Sequence, residues 1–260
     1  MESEKKMSFL DHLEEIRWRL VKSAISILLF SIVIWMFQEW VMDHVFLSMS
    51  KADFISFELL CKYTGVCTDD ITLKMQSTSL SAQFSYALMM SIMGGVVFSF
   101  PFLFYQIWAF VKPGLRDNEK SMASGIVLYV SLLFFLGISF GYFIVAPLCV
   151  QFFAVFTMSK QIENIPTISS YMSLVLSTIF YTGLLFLLPV VSYLMTKLGV
   201  ITPVFLKKYR KHSIIGVLIL SAAITPPDLI SQVIVSIPIL ILYEIGIIVS
   251  SRVEKNKTVS

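Results

Sequence analysis

Long stretches without a single charged side chain dominate this chain, and they limit it to folds that keep those stretches out of water. Met75–Val111, Ser121–Ser159 and the run from Asn164 up to Lys197 contain no Asp, Glu, Lys or Arg. A bilayer core of roughly 30 Å needs about 20 apolar helical residues. Each run therefore holds a spanning helix with uncharged loop or interfacial structure to spare. Shorter charge-free runs lie at Ser23–Gln38, Ser213–Pro227 and Leu229–Tyr243. The first is short for a span, and the last two read as a tilted or thinned pair joined by Pro226-Pro227-Asp228. With 57% hydrophobic and 14% charged residues in a chain of 260, a water-soluble surface could not be covered. The expected fold is an all-α integral membrane protein of six helices. Pro101, Pro147 and Pro189, within or at the ends of the apolar runs, imply bent helices and a concave assembly.

Basic residues set the orientation. With the N-terminus inside, the cytoplasmic segments collect sixteen Lys and Arg, and the opposite side has Lys51, Lys62, Lys74 and Lys160. That asymmetry places both termini in the cytoplasm. The net charge of +3 is too small to argue for nucleic acid. One membrane domain, 1–260, then comprises a cytoplasmic amphipathic helix (1–20), a first external loop (39–80) and a frayed cytoplasmic tail (252–260). The first 20 residues are charged, with no small-residue cleavage site after them, so the first apolar run reads as a retained span rather than a secretory signal.

Three cytoplasmic or membrane motifs carry candidate chemistry. At 100° per residue, Phe9, Leu13, Ile16 and Leu20 share one stripe, while Asp11, Glu14, Glu15 and Trp18 project from the opposite side with Arg19 close by. Such a helix against the bilayer offers carboxylates to a cationic ligand. The plainer reading is a capped interfacial anchor: Ser8-x-x-Asp11 fits a capping box, and Arg17, Trp18, Arg19 and Lys22 suit the headgroup region. In the second motif, Pro113-Gly114 forces a turn before Leu115, and Asp117 and Glu119 fall at the start of the third span. Compensation of the helix dipole accounts for both acids there. In the third, Pro226-Pro227 breaks the chain and Asp228 caps the last helix, ahead of Gln232 and Pro238. Glu244, inside a span near its inner end, either faces a partner or cavity or snorkels to the interface.

Cys61 and Cys67 lie in the first external loop with Gly65 between them, in what would be an oxidising periplasm. A disulfide there would stabilise the fold by about 2–3 kcal/mol on the chain-entropy account; the alternative is two separate thiols. Cys149 reads as a small apolar packing residue. The histidines, His12, His44 and His212, are scattered, and neither a metal-ligand spacing nor a glycine-rich phosphate loop occurs. The expectation is a protein without cofactor, metal or enzymatic activity.

Together these motifs resemble the TatC family, the core subunit of the twin-arginine translocase. The matching pieces are His12-Leu13-x-Glu15-Ile16-Arg17-x-Arg19-Leu20, Gln106-x-Trp108-x-Phe110-x-x-Pro113-Gly114-Leu115-x-x-x-Glu119, Phe140-x-Tyr142-x-x-x-x-Pro147 and the Thr225–Glu244 run. The resemblance covers about Ser8 to Ser250. It implies six bent helices in a concave, glove-like receptor in the bacterial plasma membrane. It also implies binding of twin-arginine signal peptides on folded cargo, single-span TatA and TatB partners, an oligomeric receptor complex, and transport driven by the proton-motive force. Carried over residue by residue, the signal-binding carboxylates fall on Glu15 and Glu119, with Glu14, Arg17, Arg19, Pro113, Gly114 and Leu115 as secondary candidates. Two departures stand out. Many members carry Glu or Gln before the proline of the fourth helix, where this chain has Phe186-Leu187-Leu188-Pro189. The cysteine-containing external loop also differs from the commonest version. A small-solute transporter or channel is the competing class. It would place charges at the midplane and show an inverted repeat, and neither is present in this sequence.

Overall fold

The computed structural model describes residues 9–51, 54, 75–111, 123–159, 165–197, 199–225 and 229–259. Among these residues the chain is helical throughout apart from turns and one isolated parallel β-bridge, Gln76 to Thr167. Five helical stretches are long and apolar enough to cross a membrane: Leu13–Met36, Ala82–Phe110, Gly125–Val155, Ile168–Lys197 and Ser231–Glu254.

The elements in chain order are α1 (Phe9–Met36), α2 (Gln38–Val41), a π turn (Met42–Phe46) and a 3-10 turn (Leu47–Ser50). Then come α3 (Ala82–Val111) and α4 (Ala123–Phe140), which passes through a π turn (Gly141–Val145) into α5 (Ala146–Val155). After α6 (Ile168–Leu185) follow α7 (Leu188–Lys197), α8 (Pro203–Lys208), α9 (Arg210–Ile224) and α10 (Leu229–Val259).

Several expected boundaries are corrected. No Gly or Pro interrupts residues 9–36, so the amphipathic segment and the first span form one continuous helix. Its 28 residues reach about 42 Å, longer than a bilayer core, which lets its charged first turns stand clear of the apolar part. The first external loop begins with helix rather than loop: Gln38–Ser50 also lacks Gly and Pro and stays wound. The tail is helical through Val259, because polar residues do not by themselves end a helix. The charge-free run Leu229–Tyr243 is part of a longer helix, which keeps Glu244 inside it as expected. That helix runs on past Glu244, whose charge is matched by Arg210. By contrast α9, with 15 residues, is about 22 Å long and has the expected shortness.

The prolines act differently from one another. Pro101 and Pro238 lie inside uninterrupted helices. Pro147 follows the widened Gly141–Val145 turn, and Pro189 follows the break between α6 and α7 at Phe186-Leu187. Phe186, in the apolar stretch before Pro189, is buried and packs against Phe140, with ring centroids 5.5 Å apart.

The chain divides into two compact units. In the first (Met1–Gln38 and Ala87–Leu132), α1 and α3 approach closely at Gly94 and Gly95. A Cβ at Gly95 would meet the Ser31 hydroxyl, the Ile27 carbonyl oxygen at 2.8 Å and the Ser31 backbone nitrogen at 3.0 Å. Small residues at such crossings let backbones approach where no water-driven force joins the helices. Phe30 and Phe98 stack beside the crossing, with centroids 6.3 Å apart.

In the second unit (Glu39–Tyr86 and Leu133–Ser260), Gly137 and Gly141 pack onto α6 in the same way, against Gly183 and Ile179. Val145, Cys149, Val217, Val235 and Ile239 form a core cluster, so Cys149 packs as expected. Two tyrosines fasten the turns after α2. Tyr142 donates to the Val45 carbonyl at 2.9 Å, and Tyr171 to the Phe46 carbonyl at 2.5 Å. These carbonyls sit where the π turn gives way to the 3-10 turn, and the hydroxyls satisfy acceptors in an apolar setting.

Candidate functional site

The candidate site is built on the first turns of α1. Continuous helix geometry sends Glu14 and Glu15 in directions 100° apart, and the two carboxylates part company. Glu14 pairs with Arg17 at 3.3 Å in the open, with both side chains more than 60% accessible. Arg17 also lies over the Trp18 ring, 5.7 Å from its centroid. Glu15 turns inward. Its Oε1 accepts from Arg19 Nη2 at 2.5 Å and from Arg19 Nε at 2.9 Å. Arg19 Nη1 then reaches across to α3 and donates to Gln106 Oε1 at 3.3 Å. Both members of the pair are 24% accessible, and Gln106 is buried.

The two faces of this helix meet different surroundings. Leu13 and Leu20 are exposed, at 47% and 64%, and the inward face carries Glu15, Ile16 and Arg19. In a membrane protein lipid is a partner for apolar side chains, so the polar groups are the ones that turn toward neighbouring helices. Gln106 belongs to the quoted motif, but sequence reading assigned it no role. Its position as the one amide near the inner end of the charge-free run Met75–Val111 was the available signal.

The described residues bring together Glu15, Arg19 and Gln106. Glu119, Pro113, Gly114 and Leu115 lie outside them, as do Cys61, Cys67, Pro226, Pro227 and Asp228. In the second unit, Glu244 Oε2 accepts from Arg210 Nη2 at 2.7 Å, so it has a partner, and both side chains are about half accessible. Arg210 was counted in the sequence only toward topology. Gln232 donates from Nε2 to the Leu218 carbonyl at 3.2 Å, tying α10 to α9, and Tyr243 donates to the Leu206 carbonyl at 2.8 Å. Pro238 lies in α10 between them. Among the described residues no three His, Cys, Asp or Glu side chains gather closely enough to hold a metal ion.

Chemically, the Glu15 environment is a guanidinium site. A carboxylate oxygen receives two N–H groups of one planar fork, and a neutral amide carbonyl takes a third. Charge-assisted contacts of this kind are stronger than neutral ones and discriminate a planar fork from a point charge.

Residues 11–238 match the family model described as Sec-independent protein translocase protein (TatC). A Sec-independent protein translocase protein TatC of Blattabacterium (Periplaneta americana) is 36% identical, over 99% of this chain and all of that one. TatCy of Bacillus subtilis is 32% identical, over 94% of this chain and 89% of its own length. Among solved structures, the crystal structure of a twin-arginine translocase receptor, TatC, superposes with a TM-score of 0.69 at 30% identity, covering 94% of this chain and 99% of that one.

Proposed function

This chain belongs to the TatC family of Sec-independent protein translocase proteins, and from that premise we propose that it is the signal-peptide receptor of a twin-arginine translocase. In this reading it sits in a bacterial plasma membrane with both termini cytoplasmic. It spans the bilayer six times, with α9 as the short span, and works with single-span TatA- and TatB-type partners. Export of folded cargo draws on the proton-motive force.

One observation carries the reading: Glu15 is a largely shielded carboxylate whose bound partner is a guanidinium. Recognition of an arginine side chain needs a partly desolvated acceptor with a fixed orientation, because a fully solvated carboxylate gains little from pairing. Glu14, whose pair is largely solvated, lacks that property. Glu119 is the proposed second carboxylate, one for each arginine of the signal. The sixteen-to-four distribution of Lys and Arg supports a cytoplasmic position for Glu15, the side on which a signal peptide arrives.

The test is photocrosslinking of a twin-arginine signal peptide to the membrane-embedded protein. The expected result is a crosslink that a Lys-Lys peptide does not give and that Glu15→Ala and Glu119→Ala remove. Equal crosslinking of the Lys-Lys peptide would overturn the receptor reading. A crosslink surviving both substitutions would overturn the residue assignment.

A further inference from the structure

The carboxylate offered to a signal peptide is already occupied by an arginine of the receptor itself. We propose that Arg19 is an internal competitor for the Glu15 carboxylate, so that a signal-peptide arginine binds by replacing one guanidinium with another. The inference rests on the reading of Glu15 as a guanidinium-binding residue, and adds to it a gate that sets how strong a ligand must be.

Three observations carry it. Arg19 places both Nε and Nη2 on Glu15 Oε1, and among the described residues nothing else donates to that carboxylate. Arg19 is also held from its other end by Gln106, so its position does not depend on Glu15 alone. Finally, the pair is three-quarters shielded, unlike the neighbouring Glu14–Arg17 pair. A second guanidinium on the remaining oxygen would lie within roughly 5 Å of the first, where two like charges in a partly shielded site repel. Replacement is therefore favoured over sharing. Arg19 sits on the same helix four residues away, so it can move toward headgroup phosphates while Glu15 stays in place.

The consequence is quantitative. A ligand that binds only the open state has its dissociation constant raised by the reciprocal of the open fraction, and that factor is the same for every such ligand. The gate leaves the ratio of twin-arginine to Lys-Lys affinity unchanged. It lifts both constants, so the weaker Lys-Lys peptide falls below useful occupancy at a given concentration.

The experiment is a titration of fluorescent twin-arginine and Lys-Lys signal peptides with the full chain in nanodiscs with its co-purifying membrane partners. The variants are Arg19→Ala, Arg19→Lys, Gln106→Leu and Glu15→Gln. Removing the competitor should tighten both peptides by a common factor of roughly three to ten. Gln106→Leu keeps every charge and should tighten both by a smaller common factor, which separates displacement from simple charge repulsion. Arg19→Lys, with its charge but not its fork, should fall between wild type and Arg19→Ala. Should Arg19→Ala fail to fold, the other two variants carry the test. Weaker or unchanged binding in these variants, with Glu15→Gln still abolishing it, overturns the gate and leaves the receptor site standing. Unchanged binding in Glu15→Gln overturns the site itself.

Discussion

Gly95 sets how closely the helix carrying Glu15 can approach the helix carrying Gln106, and Gly95→Ala should measure that dependence. A methyl group there meets the backbone of α1, at 2.8 Å from the Ile27 oxygen and 3.0 Å from the Ser31 nitrogen. Neither is the end of a flexible side chain, so the helices themselves must move apart by roughly half an ångström or more to restore ordinary contact. Overpacking of this kind costs about 1–3 kcal/mol. The Arg19–Gln106 contact is already long, at 3.3 Å, and should be lost first. Gly216→Ala is the matched control: nothing lies within 4 Å of its Cβ position, so the added methyl group meets open space. There the gain in helix propensity, up to about 1 kcal/mol, should make the change neutral or stabilising. Thermal unfolding of the purified protein in one detergent, followed by fluorescence-detected size exclusion, compares the two. A Gly95→Ala protein as stable as Gly216→Ala would refute the close-approach argument.

Two further predictions rest on the structure and one on the sequence. Tyr171→Phe removes a buried hydroxyl bond to the Phe46 carbonyl and should lower stability by about 0.5–1.5 kcal/mol, more than Tyr142→Phe, whose Val45 acceptor keeps the Ser48 hydroxyl, in the same thermal assay. Arg210→Ala should cost less than about 1 kcal/mol in that assay, since its pair with Glu244 is about half accessible on each side. Non-reducing mass mapping should recover Cys61 and Cys67 in one linked peptide; two free thiols would end that assignment.

Spans were legible in the sequence because absence of charge is a strong signal in lipid, and the three long runs each contain a helical span. Their ends were less legible. Met75–Leu80 is uncharged yet not helical, and part of it is tied by backbone hydrogen bonds to the start of α6 instead. The charge-free run stops at Tyr243 but the helix does not, and Glu244 lies within it, matched by Arg210 from another helix. At the site, periodicity grouped Glu14 with Glu15 because it describes one helix in isolation. What separates them is Gln106, eighty-seven positions beyond Arg19, and no local pattern reports that contact. The family resemblance singled out Glu15, and the geometry of the Arg19 fork supplies a physical reason for the choice.

The central claim is that Glu15 binds arginine as a guanidinium rather than as a positive charge. Its most direct measurement is the affinity of the full chain for a twin-arginine peptide and its Lys-Lys counterpart, in wild type and in Glu15→Gln. The account predicts a clear preference for the twin-arginine peptide in wild type that collapses in Glu15→Gln. Equal affinities in wild type, or a preference that survives the substitution, would contradict it.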